Sequence, residues 1–414
     1  MPAGASPEGR KLSRRHLELL VLLGFVLMFE GFDISLTSVV LPYVGSDFGI
    51  RTPALGRAVA AIAAGSIVAV FLIRLADRFG RRPILLIAAG GFSIGSLLTV
   101  LAPDIGSYVA IQFVTRMLMV SLVSLAYLVV SETLPPPLRG RANGLLGAVA
   151  SMGAALPFLM LKPALETEMG WRLLFVVGSA PLIILPLLFI RVKETPVWAE
   201  MQASNNNRIT MRTEFVQLVT SKFRQRFAAM SALWFIINFA SAAGTVFFTY
   251  YVTQERGWST TELMAIAPLS LLGAFIGYIG AGALADWIGR RPTIASFLFL
   301  YGVLTLICYS AEDSAVITAS FVGLQAMLGL WMICFTLNSE LFPTELRAAA
   351  NGWSHNMVGR WGAVVAPLLL GELSALLGGT ASAAMALAVV PWLGIPLILF
   401  ALPETKAIRL DEHP

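Results

Sequence analysis

Runs of about twenty consecutive apolar residues recur along this chain, and they constrain its fold more than any other feature. The stretches 17–44, 54–75 and 83–102 each carry few charges. A helix of about 20 residues crosses a hydrocarbon core of roughly 30 Å. Backbone inside that core must satisfy its own hydrogen bonds, which leaves a helix bundle or a closed barrel. The runs do not alternate polar with apolar residues, so a barrel is excluded. Composition agrees: 57% of the 414 residues are hydrophobic and 13% are charged, against about 25% charged in soluble domains. The sequence predicts an all-α membrane protein.

Spans are expected near 17–43, 54–75, 83–102, 105–131, 142–164, 171–190, 227–252, 261–285, 293–311, 314–339, 347–377 and 379–402. The polar stretch 191–226, with Asn205, Asn206 and Asn207, reads as a cytoplasmic linker between a six-helix bundle at 1–190 and a second at 227–414. Of the 29 Lys and Arg, 22 fall in the termini, the linker and the loops on one side, among them Arg10, Lys11, Arg208 and Arg409. Five fall on the other side: Arg51, Arg57, Lys162, Arg172 and Arg256. Cytoplasmic loops carry the positive excess, so both termini are expected in the cytoplasm of a cell-membrane protein. The basic stretch 1–15 precedes an apolar run too long for a cleaved signal peptide. Cys308 and Cys334 lie inside apolar runs and read as small core residues.

The two halves repeat. Ser131-Glu132-Thr133-Leu134-Pro135, with Arg139 and Asn143-Gly144, recurs as Ser339-Glu340-Leu341-Phe342-Pro343, with Arg347 and Asn351-Gly352, at an offset of 208. Asp77-Arg78-Phe79-Gly80-Arg81-Arg82-Pro83 recurs as Asp286-Trp287-Ile288-Gly289-Arg290-Arg291-Pro292 at 209, and Glu194-Thr195 as Glu404-Thr405 at 210. At these residues the chain resembles the major facilitator superfamily, whose loop after the second span reads Gly-x-Leu-Ala-Asp-Arg-x-Gly-Arg-Arg. The second half keeps that pattern from Gly282 with Trp287 out of place; the first has Ile73 for the glycine and an extra charge at Arg74. The missing glycine implies altered packing of the second span there. The resemblance implies twelve helices in two pseudo-symmetric bundles and transport by alternating access.

Glu30-Gly31-Phe32-Asp33 with Pro42, and Gly359-Arg360-Trp361-Gly362 with Pro367, are similar to segments of the aromatic acid:proton symporters. The Ser-Glu and Arg block is shared with the related metabolite:proton symporters. Glu30 stands where the first group has Asp, and Ser121 and Ser124 stand in its glycine run.

Four ionised residues fall inside spans: Glu30 and Asp33 in the first, Arg116 in the fourth and Arg360 in the eleventh. Each costs about 2.5–3.5 kcal/mol at the bilayer centre on insertion scales, so each needs a compensating role. Glu30 and Asp33 are three apart and share a helix face. A carboxylate in low dielectric beside a like charge favours its protonated form, so the pair suits proton coupling. Arginine stays charged and forks onto carboxylates, so Arg360 or Arg116 suits an organic anion. The alternative for Arg116 is a purely internal ion pair with Glu30 or Asp33. Trp234, Trp331, Trp361 and Asn238 are the further substrate-site candidates, followed by Phe32, Phe239, Tyr250, Gln325 and Asn338. His355 reads as interfacial.

The resemblance further implies cytoplasmic gate networks of Asp77, Arg81, Glu132 and Arg139, and of Asp286, Arg290, Glu340 and Arg347. Asp77 and Asp286 lie at span ends, where a carboxylate can cap a facing helix. The expected function is proton-coupled uptake of a small organic acid, an aromatic one by resemblance. The expected partners are the substrate, protons and the bilayer, without nucleic acid, cofactor or metal, in a monomer. Two alternatives stay open. Proton-antiport efflux is disfavoured because the fifth span reads Gly147 to Ser151, Gly153 and Pro157 without the Gly-Pro of antiporters. Sugar or polyol transport leans on Lys193-Glu194-Thr195-Pro196 and Pro403-Glu404-Thr405-Lys406, with Asn238 nearly alone as a polar group in the seventh span. No nucleotide loop or nucleophile–base pair suggests an enzyme.

Overall fold

A computed structural model describes residues 13–203 and 211–406. Arg10, Lys11, Arg208, Arg409 and the Asn205, Asn206, Asn207 run lie outside the described residues. The protein has twelve helices long and apolar enough to cross a membrane, and no strand among the described residues. They are α1 Arg14–Asp47, α2 Thr52–Phe79, α3 Arg81–Thr99, α4 Ile105–Thr133, α5 Leu138–Leu165 and α6 Arg172–Arg191 in the first half. In the second half they are α7 Arg224–Glu255, α8 Thr260–Ile288, α9 Arg290–Ser310, α10 Ser314–Leu341, α11 Leu346–Leu377 and α12 Thr380–Ala401. Two short helices, Pro196–Ala203 and Met211–Thr220, lie in the stretch read as a linker.

Helix starts follow local chemistry. The Asp104 carboxylate accepts from Ser107 N–H and closes a capping box on α4, and Ser259 with Glu262 does the same for α8. Gly80 and Gly289 precede α3 and α9 with φ of 111° and 107°, a region L side chains rarely adopt. The sharp α2–α3 and α8–α9 corners therefore require glycine at the same position of the repeat.

Contacts divide the chain into two compact units. One comprises Met1–Leu36 with Val68–Asn207, the other Thr37–Ile67 with Arg208–Pro414. The second unit thus includes a stretch of the first sequence half, running from the end of α1 into α2. Its glycines explain the attachment: a Cβ on Gly56 would sit 2.5 Å from the Pro367 carbonyl oxygen, and one on Gly371 3.0 Å from Gly56 Cα. Around this crossing Ser38 Oγ donates to Thr245 O at 3.1 Å, Thr52 Oγ1 to Tyr250 Oη at 3.2 Å, and Arg57 pairs with Glu372.

The altered packing expected at Ile73 is not required. At the matching Gly282, a Cβ would meet nothing within 4 Å, so that position has room for a side chain.

Candidate functional site

In the first unit, α1 and α5 cross backbone to backbone. A Cβ on Gly31 would overlap the Ala150 carbonyl, and one on Gly153 the Met28 carbonyl. Ser35 Oγ donates to Ala154 O across the same seam at 2.6 Å. Gly31 stands between Glu30 and Asp33, so the crossing fixes the acidic pair. Both carboxylates are buried, 7% and 2% exposed. Arg116 Nη2 approaches Asp33 Oδ2 at 3.8 Å, an ion pair too long to be a hydrogen bond, and Asp33 Oδ2 has no hydrogen-bond partner.

Sequence reasoning missed Tyr108. It is buried and lies within electrostatic reach of both Asp33 and Arg116. Its ring packs edge-on against Trp171 and Phe175 at 6.1 and 6.2 Å. The signal was available: Tyr108, Gln112 and Arg116 are four apart and form one stripe of α4. Gln112 Nε2 on that stripe donates to Thr99 Oγ1 at 2.7 Å.

The second unit repeats the crossing. A Cβ on Gly362 of α11 would overlap the Phe235 carbonyl of α7, and one on Gly359 would lie 2.6 Å from Trp234 Cβ. Arg360 stands between these glycines, half-buried, with Nε donating to Asn356 Oδ1 at 3.3 Å. The backbone leading to it, Gly352–Gly359, is π-helical, a rare geometry that recurs at functional sites.

The other candidates separate. Trp234 is fully buried, and half-buried Trp331 meets it at 5.6 Å between centroids. Asn238 is buried but spends its amide on the Trp234 carbonyl one turn back, at 2.8 Å. Trp361 is 48% exposed and stands outside the ring cluster. Phe32 and Phe239 are core residues, Gln325 is half-buried, and Asn338 is buried with Oδ1 unpartnered. His355 is 4% exposed, inside rings from α7 and α10.

The duplicated loop blocks form matching networks. Arg81 bonds Glu132 at 3.3 Å and pairs with Asp77 at 3.1 Å. Arg290 bonds Glu340 at 3.0 Å and pairs with Asp286 at 2.9 Å. The helix-capping carboxylates are Glu194 and Glu404 rather than the aspartates. Glu194 accepts from the backbone N–H of Arg81 and Arg82, and Glu404 from those of Arg290 and Arg291. Thr195 and Thr405 donate in turn to Glu132 and Glu340. Aspartates at the ends of α2 and α8 sit beside their own arginines, which claim them first. Arg139 and Arg347 stay outside these pairs. Arg139 Nε donates to Leu134 O at 2.9 Å, and Arg347 Nε and Nη2 have no hydrogen-bond partner among the described residues.

Twelve apolar helices, built from a repeated six-helix unit with ionisable groups buried in mid-span, define a multi-pass membrane transporter. The chain belongs to the major facilitator superfamily, whose family model matches residues 23–367 and again 235–413. It is therefore a transporter and not an enzyme. It is 25% identical over 401 residues to the niacin transporter NiaP of Acinetobacter baylyi, covering 88% of each chain. It is 28% identical over 365 residues to the cis,cis-muconate transport protein of the same organism, covering 84% of this chain and 85% of that one. Among solved structures, the inward open xylose transporter XylE from E. coli superposes with a TM-score of 0.76 at 18% identity, over 96% of this chain and 98% of that one.

Proposed function

We propose that this chain is a proton-coupled symporter that imports a small organic acid, an aromatic carboxylate by preference, through alternating access of bundles at 1–190 and 227–414. The observation that carries the reading is the loose, buried Asp33–Arg116 pair beside Glu30. A buried carboxylate with one long-range cationic partner is poised between charged and neutral forms. Protonation of Asp33 removes its attraction for a guanidinium that cannot itself deprotonate, and the substrate carboxylate takes the place of Asp33. Loss of the proton restores the pair and displaces the substrate. Arg360, held on the α7–α11 crossing, supplies a second cation for the anion.

Niacin and cis,cis-muconate, the compounds in the two relatives' names, are both carboxylates, and this supports the substrate class. The loop networks of Asp77, Arg81 and Glu132, and of Asp286, Arg290 and Glu340, act as the inner gate. The lysine and arginine bias puts that face and both termini in the cytoplasm. The protein works as a monomer in the cell membrane.

The test is uptake into proteoliposomes of aromatic and aliphatic carboxylates under an imposed pH gradient, with Arg360→Ala beside it. The expected result is gradient-driven accumulation of carboxylates that Arg360→Ala abolishes. Accumulation of neutral sugars alone would overturn the reading.

A further inference from the structure

The α7, α10 and α11 helices bring four rings together inside the second unit. The His355 ring lies 4.3 Å from that of Trp234, 5.3 Å from Trp331 and 5.2 Å from Phe335. Trp234 closes the group at 4.8 Å from Phe335. Trp331, Phe335 and Asn338 fall on one stripe of α10, four and then three residues apart.

Two polar atoms of this cluster, Trp234 Nε1 and His355 Nε2, are sealed from solvent and have no hydrogen-bond partner, and the same holds for Asn338 Oδ1, about one turn along α10 from Phe335. Buried polar groups are nearly always satisfied, and an orphan calls for an explanation. Orphans within and beside a ring cluster point to a partner outside the chain, because an apolar side chain would pack as well without the penalty. The indole offers a donor, the amide oxygen an acceptor, and the imidazole nitrogen either, according to its tautomer. Phe335 is 37% exposed and Trp331 half-buried, so these two rings are the accessible members of the cluster. The histidine sits in the π-helical turn that leads to Arg360, whose N–H donates to His355 O at 3.1 Å.

We propose that Trp234, His355 and Asn338 form a ring-recognition site, which opens when Trp331 and Phe335 rotate and which selects flat substrates bearing a polar ring substituent or ring nitrogen. The inference rests on the organic-acid reading. It narrows that class to hydroxylated or nitrogen-containing aromatic acids over plain ones.

The test uses the full-length protein in detergent and compares its affinity for benzoate, 4-hydroxybenzoate and pyridine-3-carboxylate, with a neutral pyridine amide as a fourth probe. His355→Phe and Trp234→Phe keep an aromatic ring in place and remove the ring nitrogens, Trp234→Phe also trimming one fused ring. Each should lower the preference for the polar-ring acids over benzoate about tenfold, equivalent to ~1.4 kcal/mol. A cooperative thermal melt of each variant without ligand shows that it folds. Equal losses for all probes, or no change in preference, would overturn the ring site and leave the organic-acid reading standing. Binding of the neutral amide alone, lost in His355→Phe, would keep the ring site and overturn the acid reading. No binding by any probe would overturn both.

Discussion

Gly153 of α5 stands directly against the carbonyl oxygen of Met28 on α1, with no room for a Cβ between them. One turn on, Gly31 meets Ala150 in the same way, and α1 carries Glu30 and Asp33 on either side of that contact. The helix crossing therefore sets where the acidic pair lies. An added methyl in such a seam must push the backbones apart, at a cost of about 1–3 kcal/mol. Gly153→Ala is expected to lower thermal stability and reduce gradient-driven uptake by more than tenfold. Gly144→Ala on the same helix, where a Cβ meets nothing within 4 Å, is the control and should match the wild type in both assays. Equal effects of the two would remove the crossing from the mechanism.

The Asp33–Arg116 pair yields a second expectation. Removing one partner of a buried ion pair leaves an uncompensated charge and costs about 3–5 kcal/mol. Arg116→Gln should accordingly be severe alone and milder in an Asp33→Asn background, where Asp33 no longer leaves a buried charge without its partner. Asp33→Asn alone should abolish pH-dependent accumulation and leave substrate exchange at equal pH intact. Unaltered accumulation in the Asn variant would end the coupling role, and additive stability losses in the double variant would show that the two groups do not interact.

The spans, the repeat and the loop blocks were legible in the sequence because each rests on a local pattern. Apolar runs of span length and Asp77-to-Arg82 against Asp286-to-Arg291 need no knowledge of partners. The crossings were not legible, because Gly31 and Ala150 lie 119 residues apart and nothing local tells a packing glycine from an open one such as Gly144. The ring environment of His355 was not legible for a related reason. Its span, Leu346–Leu377, is 32 residues long, so distance from its end says little about depth, and its ring partners come from α7 and α10. The capping role went to Glu194 and Glu404 because the aspartates sit four residues before their own arginines, a spacing that pairs them along the backbone.

The contact of α2 with α11 sets two interactions against each other. Arg57 and Glu372 make a short ion pair, but their side chains are 58% and 46% exposed, and such pairs contribute about 0–1 kcal/mol. The glycine contact beneath it is backbone to backbone, since a Cβ on Gly371 would stand 3.1 Å from the Thr52 carbonyl oxygen. Gly371→Val is thus expected to impair transport by tenfold or more, whereas Arg57→Ala should stay within about twofold. Accessibility of a cysteine introduced at position 52 to a membrane-impermeant thiol reagent should rise in the valine variant. A larger defect in Arg57→Ala than in Gly371→Val would make the ion pair the determinant of this contact.

Glu404 links the α9 corner to pH. Burial alone would raise the pKa of its carboxyl, but the backbone N–H groups of Arg290, Arg291, Lys406 and Thr405 together outweigh burial and hold it below the ordinary value of 4.5. The folded chain therefore binds fewer protons at this site than the unfolded one, and stability depends on pH through the difference. The contribution is fully present above the unfolded value of 4.5 and is lost as pH falls through the lower folded value. Glu404→Gln keeps the shape and removes the titration. The melting temperature of the wild type in detergent should exceed that of the variant at pH 7, and the gap should narrow as pH falls below 4.5. A gap that stays constant down to pH 3 would mean the carboxylate's charge does not hold the α8–α9 corner.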